Sequence, residues 1–139
     1  MTIPRVVPWV ALIVLCMFNT LSAVAGGVGL LIPGSMGMPV SMIRNSPFGS
    51  FLWPGLILLV IVGGTQGLAL IAVWRRRGTA LFWPTIAGFG LLIWIFVEVG
   101  FMETFAIHIV YFVTALAQLS LVVALLGVVP RIVAPAAKY

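Results

Sequence analysis

The most conspicuous shortage in this sequence is charge. Only 6% of its 139 residues are Asp, Glu, Lys or Arg, whereas 63% are hydrophobic. A soluble domain carries about a quarter charged residues, because its surface has to face water. The shortage excludes an ordinary soluble domain and predicts a chain that is surrounded by lipid.

Reactive side chains are also scarce, with two acidic residues, one histidine and one cysteine in the whole chain. Cys16 has no second cysteine to pair with, so we interpret it as a small packing residue. With His108 as the single histidine, bis-histidine haem ligation within the chain is excluded. The sequence has no phosphate-binding glycine loop, zinc-protease motif or nucleophile elbow. We expect no cofactor and favour a non-enzymatic protein.

The formal charge of +5 does not indicate a nucleic acid partner. A phosphate-binding surface needs many distributed cationic contacts, but three of the seven Lys and Arg residues here are adjacent. The expected partners are the lipid bilayer and other membrane protein subunits or a second copy of the chain.

Four apolar stretches reach the roughly 20 residues that a helix needs to cross a bilayer. They run over about residues 7–31, 52–74, 81–102 and 106–129. Prolines in the opening turns and tryptophans at the ends mark these boundaries: Pro8, Pro54, Pro84, Trp9, Trp53, Trp74 and Trp83. The short connections predict one domain over residues 1–139, an all-α antiparallel bundle of four transmembrane helices.

The cations predict the orientation of this bundle. Six of them precede the first stretch, fill the second connection or follow the fourth stretch: Arg5, Arg75, Arg76, Arg77, Arg131 and Lys138. Only Arg44 lies in the first connection. We expect both termini on the cytoplasmic side of the cell membrane and residues 32–51 as an extracytoplasmic loop. Arg5 and the small residues Ala23 to Ala25 also resemble a cleaved secretory signal, but the apolar run continues to Ile32.

Glu98 is the only formal charge inside an apolar stretch. A carboxylate at membrane depth is costly and usually functional. Trp94 lies one helical turn earlier, and His108 begins the next stretch at a similar predicted depth. The pair is either a structural clasp between two helices or a proton-linked or ligand-linked site, unless the two side chains do not meet.

Uncharged polar residues recur inside the stretches. Tyr111 and Gln118 share the helical face of His108, and Asn19 and Gln66 lie near mid-membrane on other helices. They are predicted to form hydrogen bonds between helices, and the alternative is a polar pocket for a small molecule or ion.

Small residues at a spacing of four allow close approach of helices in lipid. The pairs Ala23 with Gly27 and Gly63 with Gly67 have this spacing. They are predicted to pack either the bundle itself or a contact with a second copy or a larger partner.

Three methionines lie in the first connection, at positions 36, 38 and 42. Thioethers bind Cu(I), so Met36, Met38 and Met42 are a weak copper candidate. A methionine-rich contact at the membrane interface is the simpler interpretation.

Several short motifs carry a family resemblance: Ser46-Pro47-Phe48, Pro54-Gly55, the three consecutive arginines, and Trp94 with Glu98. In these motifs the chain resembles uncharacterised small four-span integral membrane proteins of bacteria, of the actinobacterial type. The resemblance implies a bacterial cytoplasmic membrane and implies no activity. The hydropathy alone is also similar to that of DoxX-like proteins.

Three functions are compatible with these patterns. The first is a non-enzymatic accessory or scaffold subunit of a membrane complex or homo-oligomer, because contact surface is plentiful and reactive groups are few. The second is a small proton-linked transporter or channel that uses Glu98 and His108. The third is a redox or quinone-linked membrane protein, which rests on the architecture alone.

Overall fold

The computed structural model describes residues 3–32, 37, 39–43, 46–76, 78, 80–101, 106–128 and 133. Four long helices account for most of this part of the chain: α1 (Val6–Leu31), α2 (Leu52–Arg75), α3 (Phe82–Phe101) and α4 (Ala106–Leu126). A short 3₁₀-helix, Val40–Ile43, lies between α1 and α2. Within the described residues there is no strand, although Ile3 and Val133 form an isolated backbone bridge.

Each of the four helices is long and apolar enough to cross a membrane. Their outward faces carry large hydrophobic side chains that the fold leaves uncovered. The exposed fraction is 82% for Phe96 and 65% for Leu21 and Ile93. Contiguous apolar surface on this scale is typical of contact with lipid rather than with water.

Residues with positive φ mark the ends of α2 and α4. Arg76 has φ 47° and Gly127 has φ 74°. The backbone N–H of Arg76 donates to the Val73 carbonyl and that of Gly127 to the Ala124 carbonyl, both at 3.2 Å. These left-handed caps satisfy carbonyls of the last helical turn. The cap at Gly127 ends α4 at Leu126, earlier than the predicted boundary near residue 129.

Each helix packs against its neighbours in sequence, and α4 returns to pack against α1. The buried side chains form two clusters. The first core joins residues from the first half of α1, from the start of α3 and from the turn just before it to residues from the end of α2 and α4: Trp9, Leu12, Cys16, Ala69, Val73, Ala80, Ala87, Val122 and Leu125. The second core consists of Ala23, Val62, Leu91, Trp94, Ile95 and Ala115.

Two arginines lie at the first-core end of the bundle. Arg5 donates from Nη2 to the Leu125 carbonyl at 3.2 Å, which satisfies an oxygen near the end of α4. The guanidinium of Arg76 lies over the indole of Trp9, with Cζ 5.0 Å from the ring centroid. The start of α1 therefore lies beside the ends of α2 and α4.

Helices α1 and α2 approach each other closely at Gly27 of α1. A Cβ atom built on Gly27 would lie 2.6 Å from Cβ and 2.8 Å from Cα of Leu59 in α2. Ala23 and Gly63 are also buried where these helices meet, and a Cβ on Gly67 would lie 3.8 Å from Thr20. The predicted packing residues therefore lie inside the bundle, between α1 and α2.

The middle of α2 departs from the regular helix that the sequence predicts. Residues Ile57–Val62 have π-helical hydrogen bonding, and the N–H of Gly63 donates to the Leu58 carbonyl five residues earlier. Such segments inside α-helices occur frequently at functional sites. In this π-helical segment the Leu59 backbone lies against Gly27. The side chains of Leu58 and Val62 pack in the second core.

We expect Gly27→Ala to destabilise the bundle by about 1–3 kcal/mol, because the added methyl group would overlap the backbone of Leu59, which cannot move alone. Thermal unfolding in detergent would measure the effect. Gly90→Ala is the matched control, since a Cβ there meets nothing within 4 Å. Equal unfolding temperatures for the two variants would contradict the close approach.

Candidate functional site

A buried amide network connects α1, α3 and α4 midway along the bundle. Asn19 donates from Nδ2 to Oε1 of Gln118 at 3.0 Å, and Gln118 donates from Nε2 to the Pro84 carbonyl at 2.9 Å. Thr114 donates from Oγ1 to Oδ1 of Asn19 at 3.0 Å. The network gives each amide at least two partners, as hydrocarbon surroundings require.

Gln66 of α2 is fully buried beside this network. Its Nε2 donates to the Ala87 carbonyl at 3.3 Å, which links α2 to α3. Its Oε1 is buried and has no hydrogen-bond partner among the described residues. Thr65, one position earlier, instead donates to the Ile61 carbonyl of its own helix at 2.7 Å.

Glu98 and His108 come together between α3 and α4. His108 Nε2 lies 3.5 Å from Glu98 Oε2, and the side chains are 7% and 21% exposed, respectively. Glu98 stands one turn before the end of α3 at Phe101, and His108 lies in the first turn of α4. Because both residues lie close to the connection between α3 and α4, their side chains lie at a similar depth in the bundle.

A cavity of about 160 Å³ opens beside this pair. Its walls come from the later half of α1, the early part of α2, the end of α3 and the start of α4, together with Ile43, Ser46 and Phe48. Most of the lining is apolar, for example Leu58 and Ile95. The polar groups that reach it are few: Asn19, Ser22, Ser46, Trp94, Glu98, His108 and Tyr111.

Trp94 lines this cavity and is only 6% exposed. Its indole interacts with the Glu98 side chain one turn later. Even so, Nε1 is buried and has no oxygen at hydrogen-bond distance and angle among the described residues. A buried indole N–H normally finds an acceptor, so this donor is conspicuous.

Most of the predicted site residues lie together in the structure, and a few lie outside the described residues. Glu98, His108, Trp94 and Tyr111 line the cavity, Asn19 joins it to the amide network, and Gln118 lies deeper in that network. Met42 is partly buried in the 3₁₀-helix, whereas Met36 and Met38 lie outside the described residues. The copper candidate therefore stays a prediction. Four of the residues that predict the orientation also lie outside the described residues: Arg44, Arg77, Arg131 and Lys138.

Sequence reasoning missed several residues of the site. Gly26 lines the cavity. A Cβ atom on Gly26 would lie 3.0 Å from Leu58 Cδ2, so a larger residue would reduce the space between α1 and α2. Thr114 was missed although it lies three residues after Tyr111, and Ser46 was named only within the motif Ser46-Pro47-Phe48. Thr114 is detectable in the sequence as a polar residue on a polar helix face. The other two depend on contacts between distant segments.

This arrangement can hold a small apolar molecule and exchange protons. A carboxylate and an imidazole within contact distance can share one proton or pass it on. Within the described residues, no group of three or more His, Cys, Asp or Glu side chains is placed to hold a metal ion. An apolar cavity with a few convergent polar groups is the usual form of a small-molecule site.

The four apolar helices place this chain in the class of multi-pass helical membrane proteins. No protein-family model, curated protein or solved structure matches it. The resemblance to small bacterial four-span proteins and to DoxX-like proteins therefore stays a prediction.

Replacing Gln118 by Leu removes one partner from Asn19 and one from the Pro84 carbonyl. We expect a loss of about 1–2 kcal/mol in unfolding free energy, because hydrogen bonds between membrane helices average about 0.6 kcal/mol and leave buried groups unpaired when removed. Ser120→Ala is the control, since that exposed hydroxyl bonds only the Leu116 carbonyl of its own helix. Unfolding by SDS titration would compare them, and a Gln118→Leu variant as stable as the control would contradict the network.

Proposed function

We propose that this chain is a membrane-embedded binding protein for a small, mainly apolar molecule, and that Glu98 and His108 couple its binding to protons. The observation that supports the proposal is the position of the pair. The 3.5 Å contact between imidazole and carboxylate forms part of the wall of a 160 Å³ cavity that is otherwise mostly apolar.

Proton coupling follows from the charge of the pair. With one proton shared between them, the two groups carry no net charge; with none they carry −1, and with two they carry +1. An apolar molecule that enters the cavity displaces water from these groups and so penalises any net charge. Binding is therefore favoured while the pair holds one proton, and the two groups titrate as a unit.

The other half of the bundle supports a binding protein rather than an open channel. The first core fills that half with apolar side chains, and several of them, such as Leu12, Ala69 and Val73, are fully buried. The amide network around Gln118 separates this core from the cavity. Among the described residues, the cavity therefore lies in the half of the bundle opposite the first core.

We further propose that the helices alternate in direction in the cell membrane of a bacterium, with both termini in the cytoplasm. The arginines support this orientation. Arg5 contacts the Leu125 carbonyl and Arg76 lies over Trp9, so cations before α1 and after α2 share one end of the bundle. Cationic ends favour the cytoplasmic side. The cavity then faces the extracytoplasmic side.

The charge argument predicts a bell-shaped pH dependence of binding. The probe is 4-fluoro-α-methylstyrene, an apolar ring, measured by ¹⁹F NMR with the protein in lipid nanodiscs and with empty nanodiscs as the partition control. We expect affinity to fall by roughly tenfold, the effect of about 1.4 kcal/mol, on each side of the optimum. Glu98→Gln should remove the alkaline fall, and His108→Asn should remove the acidic fall.

The sign of each change follows from the group that remains. With Glu98 replaced, only the imidazole titrates, and it becomes charged as the pH falls. With His108 replaced, only the carboxyl group titrates, and it becomes charged as the pH rises. Tyr111 is the third titratable side chain of the described cavity lining, so Tyr111→Phe is the matched control and should keep both falls. Absence of saturable binding, or an unchanged profile in Glu98→Gln, would contradict the proposal.

A second candidate function is an accessory or scaffold subunit of a larger membrane assembly or homo-oligomer. It is favoured by glycines on the outside of the bundle: Gly64 and Gly100 are exposed, and a Cβ on either would meet nothing within 4 Å. Open small-residue positions allow another helix to approach closely.

This second candidate predicts a complex that survives gentle extraction in native lipid. Native mass spectrometry should then show more than one chain, and Gly64→Leu should release the monomer because its side chain would occupy the contact. Leu68→Ile, an exposed apolar exchange one turn later, is the control. Recovery of the wild type solely as a free monomer would contradict the candidate.

A further inference from the structure

Within the described residues, two guanidinium groups lie at the first-core end of the bundle with no carboxylate beside them. Arg5 precedes α1, and Arg76 follows the last residue of α2. Glu98 is the one acidic residue of the described chain, and it lies near the end of α3 beside the cavity, in the opposite half of the bundle. Like charges that lack a counter-ion repel each other, so an anion from outside the chain would stabilise this end.

Both arginines are held in place by the protein and still have N–H groups to donate. A guanidinium carries five N–H donors. Arg5 uses Nη2 for the Leu125 carbonyl at 3.2 Å. The contact between Arg76 and the Trp9 ring, with Cζ 5.0 Å from the centroid, gives the N–H groups no acceptor oxygen. The described contacts therefore leave donors of both side chains for a further acceptor.

Trp9 links the two arginines. Its backbone N–H donates to the Arg5 carbonyl at 3.4 Å, one turn earlier, and its ring lies under the guanidinium of Arg76. Trp9 and Leu125 also belong to the same buried core, so the contact partners of the two arginines are parts of one packed cluster. Two guanidinium groups held against one cluster suit a phosphate group, whose oxygens accept from several donors at once.

The surroundings of this end favour a lipid over a dissolved anion. Trp74, near the end of α2, is 66% exposed, as is typical of a tryptophan at headgroup level. Exposed apolar side chains lie five residues from each arginine, toward the middle of the bundle: Val10 on α1 and Ile71 on α2. The acyl chains of a phospholipid would lie along such side chains while its phosphate lies at the arginines.

We propose that Arg5 and Arg76 bind the phosphate group of an anionic phospholipid at the first-core end of the bundle. An anionic phospholipid carries a net negative charge, whereas the ammonium group of phosphatidylcholine cancels that of its phosphate. The two arginines therefore select the anionic headgroup. The inference does not rest on the proposed binding function, because the cavity lies in the other half of the bundle.

Competition between two lipids with the same acyl chains tests the inference. The whole chain in mild detergent receives equal amounts of dioleoylphosphatidylglycerol and dioleoylphosphatidylcholine, and native mass spectrometry measures which lipid it retains. We expect the wild type to prefer phosphatidylglycerol about tenfold or more, because one basic residue at an anionic membrane surface contributes roughly fivefold. Arg5→Gln and Arg76→Gln should each reduce this preference roughly fivefold.

Arg75→Gln is the matched control, because it removes the same charge from an exposed residue next to Arg76. We expect it to reduce the preference less than about twofold, since an exposed charge outside the site is screened by salt. Thermal unfolding in detergent would show that each variant is folded. As a second readout, phosphatidylglycerol should raise the unfolding temperature of the wild type and phosphatidylcholine should not, which requires no variant.

The outcomes that would overturn the inference are specific. They are equal retention of the two lipids by the wild type, and equal losses of preference in all three variants, which would indicate only a general attraction to the charged end. Displacement of phosphatidylglycerol by excess inorganic phosphate would indicate a site for the free anion and would overturn the choice of a lipid. None of these results alters the pH profile expected of the cavity, so this inference and the proposed function can fail separately.

Discussion

The constraint on which the structure depends is that hydrocarbon offers no hydrogen bonds. A polar group inside such a bundle has to find its partner within the protein or lose several kcal/mol. Asn19, Thr114 and Gln118 meet this requirement through one another and through the Pro84 carbonyl. Thr20 and Thr85 meet it through backbone carbonyls four residues earlier in the chain. The polar groups that do not meet it are therefore informative.

Two such groups remain in the described interior, Trp94 Nε1 and Gln66 Oε1. They differ in their surroundings. Gln66 is fully enclosed between α2 and α3 and already makes one hydrogen bond. Trp94 borders a cavity that also holds the ionisable pair, and its indole interacts with the Glu98 side chain.

Close helix packing makes this interior possible. In lipid, helices gain little from burying apolar surface, so their association depends on close contact and on hydrogen bonds. Gly27 lets α1 approach the π-helical segment of α2, and Gly88 lets α4 approach α3 at Leu119. The packing of the second core is less complete, because most of its residues also line the cavity.

The sequence by itself determined the class of protein, the number of helices and, approximately, their ends, because membrane crossing depends on local hydrophobicity and length. It also singled out Glu98, His108 and Trp94, because charge and aromatic rings are rare and conspicuous among apolar residues. Only the tertiary structure decided that these side chains surround a cavity, that the small residues of α1 and α2 pack the bundle itself, and that α2 contains a π-helical segment. Those features depend on how distant segments meet, and a contact such as Gly27 with Leu59 leaves no periodic signal in either helix.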